Sequence, residues 1–87
     1  MSDKIKVLVV DDSSLVRKII TDILNKEPDM TVIGTANNGK TAIFKSQELD
    51  PDVITMDIEM PILDGLAALK HIMSTKPKPV IMMSVLT

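Results

Sequence analysis

Short aliphatic runs alternate along the chain with longer stretches in which apolar residues recur every three or four positions. Ile5 to Val10 is almost purely aliphatic, the pattern of a strand buried on both faces of a parallel sheet, and it stops abruptly at Asp11 and Asp12. From there the apolar positions are Leu15, Val16, Ile19, Ile20, Ile23 and Leu24, with Arg17, Lys18, Thr21, Asp22 and Asn25 on the other side. That period predicts an amphipathic helix, and Ser13 or Ser14 is its natural N-cap. Pro28 and Asp29 end it. Met30 to Ala36 reads as a β-branched second strand, whose threonines predict an edge position. Asn37-Asn38-Gly39 reads as a turn, before a weaker helix from about Lys40 to Leu49 with Ala42, Ile43, Ser46 and Leu49 on one face. Val53 to Met56 is a third aliphatic strand that runs straight into Asp57. Asp64-Gly65, again a turn signal, opens a third helix from about Gly65 to Ser74. Pro77 and Pro79 introduce a last strand, Val80 to Met83, closed by Ser84.

Four strands and three helices in strict alternation, joined by short connections and right-handed crossovers, predict a doubly wound parallel α/β sheet with helices on both faces. With 87 residues the chain is one domain or part of one. The aliphatic fourth strand would be an edge that invites pairing with another chain, and nothing in the sequence covers it. The expectation is a domain truncated after its fourth strand. The alternative is that two copies complete one another, by exchange or by self-association through the exposed fourth strand.

Charge narrows the list of partners. Ten basic residues against twelve acidic ones, without a basic cluster, leave no electrostatic footprint for nucleic acid or anionic lipid. There is no cysteine, so disulfides and thiolate metal sites are excluded, and the composition suits a reducing cytoplasm. No apolar run approaches the roughly 18 residues of a spanning helix, so no membrane partner is expected.

In an open α/β sheet, ligands bind beyond the carboxyl ends of the strands. Asp11, Asp12, Asp57 and Ser84 all stand at such ends. If the first and third strands are neighbours, these groups share one crevice. Two unit charges about 4 Å apart repel by about 4 kcal/mol at an effective dielectric of about 20, so three carboxylates call for a cation. Mg²⁺ is the natural one, since it takes one or two carboxylates and leaves room for phosphate oxygens. Asp57 is then a nucleophile toward a phosphoryl group, with an acyl phosphate as product. Ser84 is placed to bind one phosphoryl oxygen, and backbone N–H groups after Asp57 others. Plainer roles exist for each residue. Asp11 and Asp12 could be helix caps, Ser84 a serine bonded to backbone, Glu59 a rim side chain, and Arg17 and His71 the polar sides of helices. Two rival functions are a Mg²⁺-dependent phosphatase, with Asp57 and Glu59 as its nucleophile and acid pair, and an inert structural module. The phosphatase leaves Asp11 and Asp12 unexplained.

Three segments carry a resemblance: Val-Val-Asp-Asp-Ser at 9 to 13, Asp-Val-Ile-Thr-Met-Asp-Ile-Glu-Met-Pro-Ile-Leu-Asp-Gly at 52 to 65, and Pro-Val-Ile-Met-Met-Ser at 79 to 84. With them the chain resembles the receiver domains of two-component response regulators. The opening Asp-Asp-Ser-Ser-Leu-Val-Arg-Lys and the ending Ser-Val-Leu-Thr are most like the regulatory domain of a chemotaxis protein-glutamate methylesterase. The resemblance implies a flavodoxin-like sheet of order 2-1-3-4, with a fifth strand and last helices missing here. It implies that Asp57 is the phosphoacceptor, that Asp11 and Asp12 bind Mg²⁺, and that the Glu59 backbone carbonyl completes the site. Ser84 takes the place of the switch hydroxyl. A histidine kinase is the implied phosphodonor, and an attached or partner effector domain, a methylesterase in the parent protein, the implied output. The family also carries a lysine on its fifth strand, which these 87 residues do not include. None of them performs ester hydrolysis.

Overall fold

The computed structural model describes residues 3–84. Val85 to Thr87, the loop expected to follow Ser84, lie outside the described residues. The elements are β1 (Ile5–Val10), α1 (Ser14–Asn25), β2 (Met30–Ala36), α2 (Gly39–Leu49), β3 (Val53–Asp57), α3 (Gly65–Thr75) and β4 (Val80–Met83). All strand pairs are parallel, and the sheet order is β2-β1-β3-β4. β2 is therefore an edge strand, as its threonines predict, and β1 and β3 are neighbours.

Alternation along the strands divides the core between two faces. Leu8, Val10, Ile54 and Met56 point to one side, where they meet Ala42 of α2 and Ala68 and Ile72 of α3. Val7 and Val9 point to the other and are also buried. α1 packs on that side against β1 and β2. Its apolar stripe splits into two rows. Val16, Ile20 and Leu24 are half-buried toward the sheet, whereas Leu15, Ile19 and Ile23 are 66%, 48% and 56% exposed.

At two helix starts the residue before the helix has a different role from the one expected. Asn38 and Asp64, each expected within a turn, are N-caps: the Thr41 N–H donates to Asn38 Oδ1 (2.9 Å) and the Ala67 N–H to Asp64 Oδ1 (2.8 Å). Gly39 and Gly65 are the first helical residues. A short side-chain acceptor that favours a turn also satisfies an orphan helix N–H, so the two signals coincide. In α1 the cap is Ser13, whose Oγ accepts from the Val16 N–H (3.2 Å). α2 ends on Asp50 in the left-handed region (φ 50°), and its carboxylate pairs with Lys78 and, at 3.1 Å, with Lys76.

Candidate functional site at the carboxyl edge of the sheet

Parallel neighbours end at the same level, and this brings the acids together. Val10 is in register with Met56, so Asp11 and Asp57 leave adjacent strands side by side. Asp11 is the most fixed of the acids. Its N–H continues the β1–β2 ladder to the Ala36 carbonyl (3.0 Å), its Oδ1 accepts from the Ser13 N–H (2.9 Å), and its carbonyl accepts from Arg17 Nη1 (2.8 Å). It is buried, whereas Asp12 is exposed and Asp57 lies between these extremes. Neither Asp11 nor Asp12 caps α1, because Ser13 does. Asp57 pairs with Met83 across β3 and β4, and the Ile58 N–H donates to the Met83 carbonyl (3.1 Å), which sets Ser84 beside the same crevice.

One carboxylate oxygen from each of Asp11, Asp12 and Asp57 lies within 4.8 Å of the others. These residues line a cavity of about 350 Å³ together with Ser13, Val16, Glu59 and Ser84. Burial pushes the Asp57 carboxyl above its ordinary range, and the charge of Asp11 and the carboxyl of Asp12 push it the same way; a hydrogen bond from the Glu59 backbone opposes them. An all-oxygen cluster that disfavours its own ionisation suits a hard divalent cation, which would remove the repulsion.

The loop after β3 is held in place by two glycines. The Gly65 N–H donates to the Ile58 carbonyl (2.8 Å), and a Cβ at Gly65 would overlap the Asp57 carbonyl. The Gly39 N–H donates to the Leu63 carbonyl (2.8 Å), with Leu63 backbone likewise filling the place of a Cβ. The starts of α2 and α3 are thereby seated on the loop that follows Asp57.

Asp11, Asp12, Asp57, Glu59 and Ser84 line this cavity together, whereas Arg17 and His71 do not. Arg17 departs from the plain polar-face role, because its guanidinium reaches back over one and a half turns to the Asp11 carbonyl. No sequence signal separates it from Lys18, which pairs along the helix with Asp22 (3.0 Å). The support given by Gly65 to Asp57 was equally hidden behind its turn signal.

A parallel sheet of this order with clustered acids at its carboxyl edge defines a receiver. The chain belongs to the response regulator receiver domain family, whose model matches residues 7–87. Among its relatives, a protein-glutamate methylesterase/protein-glutamine glutaminase of Halalkalibacterium halodurans is 51% identical over 84 residues, which are 97% of this chain and 24% of that protein. The response regulator domain of Thermotoga maritima CheB is 56% identical, with a TM-score of 0.93 over 97% of this chain and 63% of that one. CheY of Borrelia burgdorferi, solved as a complex with CheX, BeF3 and Mg²⁺, is 38% identical with a TM-score of 0.89, over 97% of this chain and 64% of that one. The chain is thus a response regulator receiver homologous to the CheB regulatory domain, and spans about a quarter of the length of the curated methylesterase it matches. Among the described residues no helix is long and apolar enough to cross a membrane.

Proposed function

We propose that Asp57 accepts a phosphoryl group from a histidine kinase in a Mg²⁺-dependent reaction. The observation that carries this is the convergence of Asp11, Asp12 and Asp57 within 4.8 Å beside an open cavity. Asp11 and Asp12 hold the cation, directly or through water, Asp57 shares it, and the Glu59 backbone carbonyl completes the set. When bound, Mg²⁺ supplies the positive charge that offsets the acids and the phosphoryl oxygens. An Asp57 oxygen forms its bond to phosphorus as the bond from phosphorus to the kinase imidazole nitrogen breaks, and the nitrogen keeps the electron pair. A carboxylate needs no base to remove a proton first. Ser84 donates its hydroxyl to a phosphoryl oxygen, and this draws the end of β4 toward the site and biases a two-state domain.

Residues 1–87 form the first four strands of the receiver. The attached effector is a methylesterase, supported by relatives about four times as long, and the protein works in chemotaxis-type signalling in the cytoplasm. As an outermost strand of the sheet, β4 also offers a pairing edge to a second copy of the chain. Mass spectrometry of the full-length gene product, after incubation with a small-molecule phosphodonor and Mg²⁺, tests the proposal. One phosphoryl mass is expected, lost in Asp57→Asn and on chelation. Turnover of a phosphomonoester would favour the phosphatase, and no mass change the inert module.

A further inference from the structure

A second cavity, of about 230 Å³, lies between α1, the end of β2 and the start of α2, lined by Arg17, Thr35, Ala36, Asn37, Thr41 and Lys45. No carboxylate lines it, although the chain carries a net charge of −2. Two half-buried cations therefore face one space with no acid between them. Each is anchored on backbone: Lys45 Nζ donates to the Thr35 carbonyl (2.5 Å) and Arg17 Nη1 to the Asp11 carbonyl (2.8 Å). After one such bond, an ammonium and a guanidinium both retain N–H donors. Thr35, Thr41 and Asn37, which carry hydroxyl and amide donors, line the same space. These groups come from three elements, so they surround a ligand from several directions, as a tetrahedral ion requires.

We propose that this pocket binds a phosphate-class oxyanion, held by Arg17 and Lys45 and by the hydroxyls of Thr35 and Thr41. An oxyanion removes the repulsion between the two cations, and a guanidinium offers it paired N–H groups. Because Arg17 also holds the Asp11 carbonyl, occupancy of the pocket reaches the acidic loop through one side chain. The proposal does not depend on the role of Asp57.

NMR titration of the ¹⁵N-labelled chain with inorganic phosphate, at constant ionic strength and in chelator, tests it. Saturable shifts are expected at the amides of Asn37 and Thr41. The Asp12 amide, whose peptide carbonyl is the one Arg17 holds, should shift with them. Arg17→Gln and Lys45→Gln should each weaken binding about tenfold, the effect of losing one hydrogen bond to a charged group. Lys18→Gln, on the exposed side of the same helix, should leave it unchanged. If Arg17→Gln unfolds the chain, Lys45→Gln carries the comparison alone. Linear shifts without saturation, or one affinity across all variants, would overturn the proposal. Repeating the titration with O-phosphoserine separates two sources of the same chemistry: tighter binding assigns a phosphomonoester, weaker binding the free ion.

Discussion

Gly65 meets the backbone carbonyl of Asp57 so closely that no side chain fits between them. The start of α3 thus rests directly on the proposed phosphoacceptor, and the Gly65 N–H secures the next peptide through the Ile58 carbonyl. Adding one methyl group must displace either the helix or the strand end. Gly65→Ala is expected to cost at least about 2 kcal/mol, the scale of overpacking against backbone that cannot yield. Denaturant unfolding measures that loss, and backbone amide shifts at Asp57 to Glu59 should report the displaced loop. An unchanged midpoint would mean that α3 does not press on this carbonyl.

The Asp57 carboxyl is raised above its ordinary range by burial first and by its acidic neighbours second. A group held above its unfolded value favours folding most when protonated. The Asp57 contribution to metal-free stability should therefore be greatest below about pH 4, the ordinary aspartate value, and decline as pH rises through the displaced value. Asp57→Asn cannot ionise and should lose that decline, so at neutral pH in chelator it should melt above the wild-type chain. Adding Mg²⁺ should reverse the order by stabilising the wild-type chain more than the variant. Thermal melts from pH 4 to pH 7, with and without the metal, check both halves.

Asp50 provides a control of opposite sign. Lys78 and then Lys76 hold its carboxyl down, at about 2. Stability from this pairing is complete above about pH 4 and is lost as pH falls toward about 2. Asp50→Asn should flatten that acid limb. Asn tolerates the left-handed backbone of the α2 cap, so the helix end is kept. The residue is exposed, so the effect should be small and should shrink with added salt. Equal acid limbs in the two proteins at low salt would contradict the ion pairing.

The sheet and its acids were legible because each rests on a local signal. Aliphatic runs of four to six residues ending in Asp11, Asp57 or Ser84 mark both a buried parallel strand and its functional end. The strand order was not legible from the residues; it came with the family resemblance, and the geometry then placed β1 beside β3. Relations across the fold left no local trace. Asn38 and Asp64 look the same in a turn and in a cap, and the neighbour a Cβ at Gly65 would strike belongs to another element. Arg17 sits in a helical polar face like any other, and only the path of the loop that enters α1 shows that it reaches the Asp11 carbonyl. The outer row of α1, Leu15, Ile19 and Ile23, matched the helical period but is exposed, since period does not say how many neighbours a stripe has.

Paramagnetic broadening by Mn²⁺, standing in for Mg²⁺, asks most directly whether acids from separate strand ends share one cation. At substoichiometric Mn²⁺, amides at Asp11 to Ser13, Asp57 to Glu59 and Ser84 should broaden together. Excess Mg²⁺ should restore them, and both Asp11→Asn and Asp57→Asn should weaken the effect at every one of these positions. Broadening confined to one strand end, or unaltered by either substitution, would contradict a shared metal site and with it the phosphoacceptor role of Asp57.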